Sequence, residues 1–228
     1  MNNPLLASDK NKYGFSARLA GYRGLSGGFG SSGSNAYLWA SSQNSSTHAW
    51  SRGLGSGYFT VYRGARNKPY GFSVRLLKDS SNSSDSFTDE RDGTIYPLVK
   101  IGSQVWMAKN LAYLPKVNKS DDGSVDKPKY YIYNFEGTDV KEAKKTENYK
   151  VFGVLYNWKA AMESAPEGFH LPSDEEFTEL TDFIKNEERN VEETNRRDKI
   201  FKFFVDKHDL SLLSGQLSDI ENFFKTLK

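Results

Sequence analysis

The 228-residue chain contains no cysteine, so disulfides, thiolate zinc sites and cysteine nucleophiles lie outside its chemistry. Histidine is nearly as scarce. His48, His170 and His208 stand far apart, without the spacing of a ligand pair or a triad. No apolar run approaches the roughly 20 residues that span a bilayer, so no membrane span is expected. The first residues, MNNPLLASDKNKYGFS, lack the basic start and the apolar core of about 7–15 residues of a signal peptide. Export of this chain by itself is therefore not expected. Net charge is only +2, which offers no whole-molecule argument for nucleic acid. The one cofactor-like motif, GFGSSG at 28–33, formally matches G-x-G-x-x-G. Serines and a further strand follow it where dinucleotide binding needs a helix, so it reads as a loop and no cofactor is expected.

What remains is a polar, aromatic-rich globular chain long enough for a core. Composition divides it into residues 1–78, rich in Gly, Ser and aromatics, a Ser/Asp-rich run at 79–92 suited to a flexible linker, and a more charged, increasingly helical part at 93–228. Residues 35–77 hold two tryptophans and four tyrosines, with alternation in YFTVY (58–62) and FSVRL (72–76) that reads as half-buried strands. YGFSARL (13–19) is echoed by YGFSVRL (70–76), which suggests two similar strands.

Beyond residue 92, Asp92-Gly93 and Gly102-Ser103 are turn signals that frame a β-hairpin of 94–101 and 104–107, with Pro97 marking an edge or bulge. Residues 114–150 read as a long loop around one tyrosine-rich strand, 130–135. Asp121, Asp122 and Asp126 within it lack the twelve-residue calcium pattern and read as a turn, so no metal is expected. GVLYNWKAAM (153–162) reads as a short strand entering a helix. Ser173 and Glu176 form a capping box, with Phe177, Leu180 and Ile184 on one helical face and Asp174, Glu175 and Glu176 as helix-start acids. Residues 186–200 read as a solvated helix or a disordered excursion. Ser218 and Glu221 suggest a second box before a docked C-terminal helix.

Several of these segments together resemble the Fibrobacter succinogenes major paralogous domain. They are YGFSA (13–17), GYR (21–23), SNAYLWASS (34–42), AWSR (49–52), YGFSVR (70–75), DGTIY (92–96), VKIGSQVWMAKNL (99–111), GVLYNW (153–158) and GFHLPSDEEF (168–177). In the family the hairpin and the HLPSDEEF-type helix come first and the NAYLW and YGFSVR strands last, whereas here the order is reversed around 79–92. The resemblance thus implies a circularly permuted domain, or a slice through tandem repeats. A more distant similarity to the C-type-lectin-like and formylglycine-generating-enzyme group implies an α+β fold, with a twisted antiparallel sheet, two or more helices and long loops. The cysteine chemistry of that group is not implied. Because members are bacterial surface or secreted domains, an extracellular, cell-surface or virion location is implied, reached as part of a larger polypeptide or particle.

With no nucleophile–base constellation in sight, the expectation is a non-enzymatic recognition module binding a glycan or protein at a bacterial or phage surface. Its candidate residues are His48, Arg52, Tyr58, Tyr62, Arg63, Arg66, Asn67 and Tyr70, since tyrosines offer amphipathic area and arginines planar donors. An ordinary solvated sheet face would have the same composition. The alternatives are a structural surface or virion component that self-associates, as a homo-oligomer or domain-swapped array, and, with least support, a hydrolase. Trp39, Trp50, Trp106 and Trp158 read as core.

Overall fold

The computed structural model describes residues 11–55, 61–82 and 84–207, with side chains through 196. In chain order the elements are β1 (Ala20–Arg23), β2 (Phe29–Ser32), β3 (Asn35–Gln43), β4 (His48–Gly55), β5 (Tyr62–Asn67), β6 (Leu77–Lys78), β7 (Ser86–Asp89), β8 (Thr94–Ile101), β9 (Gln104–Met107), β10 (Tyr130–Tyr131), α1 (Val140–Lys145), α2 (Glu147–Phe152), β11 (Leu155–Tyr156), α3 (Trp158–Glu163), β12 (Phe169–His170) and α4 (Asp174–Lys207). The fold is α+β. One sheet runs β2-β1-β3-β4-β5, another β12-β6-β9-β8-β7, and β10 pairs with β11. Pairing is antiparallel apart from β1 on β3.

Among the described residues, those up to Phe183 form one compact unit and those from Ile184 a second. Within the first, the two sequence halves interleave. β6, from the N-terminal half, lies between β9 and β12 of the C-terminal half. Trp39 Nε1 donates to the Tyr156 carbonyl at 2.8 Å, and its ring packs 4.5 Å from Phe72. Trp39, Phe72, Val74 and Leu76 share a core with Met107, Leu111, Ile132, Val154 and Tyr156. Arg75, fully buried, is the polar knot of this interior. It donates to the carbonyls of Phe15, Ser16 (3.3 Å) and Met107 (2.9 Å) and to Asn110 Oδ1 (2.8 Å). Burial pulls its pKa down to about 9, so the guanidinium is still charged at neutral pH.

The hairpin forms as its turn signals require, with Gly102 at φ +60 beneath the Phe183 ring. Pro97, however, is not on an edge, because β8 lies between β7 and β9. Residues 94–97 pair with β7 and 98–101 with β9, so the missing N–H falls where the strand changes partner. The segment 79–92 is not all linker. Phe87 of β7 packs 4.6 Å from Phe169, and buried Asp89 accepts Arg91 Nε (2.8 Å) and Nη2 (2.6 Å). The loop expected at 114–150 ends in two short helices, capped by Asp139 and Thr146. The loop expected at 28–33 contains β2, paired to β1. Neither echoed heptad forms a strand: 71–73 makes isolated bridges to Arg23, Tyr156 and Leu38, and 13–19 holds a single bridge residue, Ala17.

The capping box at 173–176 forms reciprocally. Glu176 N–H donates to Ser173 Oγ at 3.1 Å, and Ser173 N–H to Glu176 Oε2 at 2.7 Å. The second unit is described by the continuation of α4, whose residues 185–196 are all exposed. Residues 186–200 are thus helical. Ser218, Glu221 and His208 lie outside the described residues.

His170 ties β12 to its surroundings, with Nδ1 2.5 Å from Asp79 Oδ1 and Nε2 2.9 Å from Glu176 Oε1. Both ring nitrogens can donate only in the imidazolium. Burial works against that form, but the two carboxylates outweigh it and raise the pKa. A raised histidine pKa stabilises the fold fully below about 6.5, and that contribution fades as pH rises through the folded value. His170→Gln is therefore expected to lower the thermal midpoint more at pH 5.5 than at pH 8.5. A pH-independent difference would contradict this.

Candidate functional site

β3, β4 and β5 build the candidate site, and their register decides which residues share it. Directly opposed residues in an antiparallel ladder point to the same face, and neighbours along a strand to opposite faces. Tyr37, Gly53 and Tyr62 stand opposite one another across three strands, whereas Arg52 stands opposite Arg63 and His48 opposite Asn67. The candidate residues therefore separate onto two faces. Tyr62 and Arg66 lie on one, with His48, Arg52, Arg63 and Asn67 on the other.

On the second face the arginines are structural. Arg52, 2% exposed, pairs with Asp174 at the start of α4 and donates to the Asp174 carbonyl (2.7 Å) and Thr178 Oγ1 (3.1 Å). Arg63 grips the same carboxylate through Nε (2.8 Å) and Nη2 (2.7 Å), while its guanidinium lies 3.5 Å from the centre of the Trp50 ring. Burial pushes the Asp174 carboxyl up, but the Arg63 and Arg52 hydrogen bonds and charges hold it below the usual range. Arg52 thus leaves the candidate set, since a buried, fully engaged guanidinium has nothing to offer a ligand. His48 opens β4 and turns its Nδ1 toward Thr47 Oγ1 at 2.9 Å. Of the four tryptophans, Trp39 and Trp106 are fully buried and Trp158 packs against the core with Lys68 over its outer face, but Trp50 is half-buried under Arg63.

On the first face lies an open cleft of about 250 Å³ lined by Asn35, Tyr37, Gly53, Leu54, Gly55, Tyr62 and Arg66. Tyr62 is 57% exposed. Its ring lies back over Gly64, where a Cβ would come within 2.6 Å of Cε1, so glycine there lets the aromatic wall lie flat. The Arg66 guanidinium lies 5.6 Å over that ring and, among the described residues, donates only to the Ala65 carbonyl, at 3.3 Å. It pairs with no acid among the described residues. Tyr37 supports the cleft from beneath, stacked on Phe72 at 5.1 Å. Tyr70, another candidate, also stacks on Phe72 and belongs to this supporting cluster with Tyr22. Burial raises the Tyr37 phenol and the Arg66 charge partly offsets it, so Tyr37 is a neutral hydroxyl at neutral pH. Tyr58 lies outside the described residues.

Asn35 and Tyr37 escaped the sequence reading, although Asn35-Ala36-Tyr37-Leu38 alternates, with Ala36 and Leu38 buried. The lining offers an aromatic face, a guanidinium and an amide, with neither carboxylate nor imidazole among its residues. Elsewhere, Asp122 is taken up by Lys129 and by Asn118 (2.8 Å), and the 121–126 acids sit around a turn.

No curated protein and no solved structure matches the chain. The model of one family does, over residues 2–78 and 99–224, which spans both interleaved halves. The chain belongs to the Fibrobacter succinogenes major domain family.

Proposed function

We propose that the protein is a non-enzymatic recognition module that binds a glycan at a bacterial or virion surface through the Tyr37–Tyr62–Arg66 cleft. The observation that carries this reading is an exposed tyrosine ring held flat beside a guanidinium that pairs with no acid among the described residues. The C–H faces of a sugar stack on aromatic rings, while its hydroxyls suit planar donors and an amide. The cleft is smaller than the roughly 300–1,000 Å³ of pockets for drug-sized ligands, which favours a single ring-sized group over a peptide segment.

We further propose a circularly permuted, C-type-lectin-like fold. The reversed motif order supports it, as does the insertion of β6 between β9 and β12. An extracellular or surface location follows from the same resemblance.

The test is a glycan and bacterial-surface panel probed with the full chain and with Tyr62→Ala of unchanged unfolding midpoint. Binding by the parent, weakened about tenfold or more in the variant, is the expected result. Undiminished binding by the variant would move the site away from the cleft. Concentration-dependent assembly without any ligand would favour the self-associating structural alternative.

A further inference from the structure

The charge of the cleft goes further than its shape. Its lining residues carry one formal charge, the Arg66 guanidinium, and no carboxylate. Other cations of the region are already engaged. Arg52 and Arg63 hold Asp174, and Lys68 donates to Gln43 Oε1 (2.9 Å) and the Ser46 carbonyl (2.8 Å). Among the described residues, Arg66 has only a long bond to a neighbouring carbonyl and the Tyr62 ring, over which it lies 5.6 Å from the centre. Its field reaches the Tyr37 hydroxyl. A guanidinium presents a planar fork of donors that matches a carboxylate with two parallel hydrogen bonds. A neutral sugar leaves that fork half used.

We infer that the cleft selects an acidic saccharide, a uronate or another carboxylate-bearing sugar, whose ring lies on Tyr62 and whose carboxylate is held by Arg66. This rests on the saccharide reading above. Asn35, on the same face, has the amide donor and acceptor to take a ring hydroxyl. The pair is solvent-accessible, so its strength falls with salt, as the Debye length shrinks from about 10 Å at 0.1 M to about 3 Å at 1 M.

The experiment titrates the full chain with glucuronate, galacturonate and N-acetylneuraminate, each beside its methyl ester and a matched neutral sugar. The methyl ester keeps the ring and removes the charge. The expected result is that at least one acid binds about tenfold tighter than its ester. Arg66→Gln is expected to erase that preference by weakening the acid far more than the ester, and Tyr62→Ala to weaken acid and ester alike. High salt is expected to weaken the acid alone. Equal binding of acid and ester, lost in Tyr62→Ala, overturns the acidic class and leaves the saccharide reading standing. An acid preference that survives Arg66→Gln overturns the assignment to this residue. Absence of binding by every sugar, neutral ones included, overturns both.

Discussion

Replacing Arg75 with methionine is expected to destabilise the compact unit by about 4 kcal/mol or more, a large share of a domain's usual 5–15 kcal/mol. Methionine fills much of the same space, so the loss comes from polarity. The buried carbonyls of Phe15 and Met107 and the Asn110 side chain, with the partly buried Ser16 carbonyl, would be left without their donor. Each buried unsatisfied group costs roughly 1–3 kcal/mol, though relaxation recovers part of the sum. Arg75 has no acidic partner among its hydrogen bonds. Its charge is balanced by carbonyl dipoles and by the Phe15 ring, 4.6 Å away. Arg75→Lys keeps the charge but not the fork, and is expected to be intermediate. Urea unfolding followed by tryptophan fluorescence measures all three proteins. A methionine variant within about 1 kcal/mol of the parent would show that the knot contributes little.

Asp174→Ala is the second large effect, about 3–5 kcal/mol, because it strands the Arg52 guanidinium in the interior. Arg52 is 2% exposed, so water cannot replace the lost carboxylate. Arg63 makes the comparison that decides the mechanism. Its side chain is 48% exposed, so Arg63→Ala should cost about 1 kcal/mol or less, although it touches the same carboxylate. Adding Arg52→Met to Asp174→Ala should restore part of the loss, since the unpaired charge is then gone. The pH dependence carries a definite sign. The Asp174 pKa is depressed by its arginines, so its contribution is present above about pH 4 and lost as pH falls through the folded value. The gap between parent and Asp174→Ala should therefore narrow below pH 4, and a constant gap would exclude the ion pair as its source.

The legible parts of this fold are those in which one short segment carries its own instruction. The 94–107 hairpin follows from two glycine turns and alternating residues, and the start of α4 from Ser173 and Glu176 three positions apart. Helices α1 and α2 were hidden because, at six residues each, they are too short for periodicity to register. Strand β7 was hidden because an acid on a core-facing position reads as solvent-exposed, until Arg91 is seen to neutralise it two residues later. Arg75 was invisible for a related reason. Val74, Arg75 and Leu76 are all fully buried, so both faces of this segment are covered and alternation carries no information. The candidate site was half legible. Its composition pointed to the β4–β5 region, and Tyr62 and Arg66 were named. Only the register, with Arg52 opposite Arg63 and Tyr62 opposite Gly53, separates the arginines held by Asp174 from the one that pairs with no acid among the described residues.

A ligand of this protein is expected to land in the Tyr37–Tyr62–Arg66 cleft. The most direct measurement is chemical-shift mapping on isotope-labelled full chain, titrated with whichever saccharide the panel identifies. Saturable shifts centred on Asn35, Tyr37, Gly53, Gly55, Tyr62 and the Arg66 Nε–H are the predicted result. Shifts centred on residues 114–150, or on the Trp50–Arg63 face with the cleft silent, would contradict it.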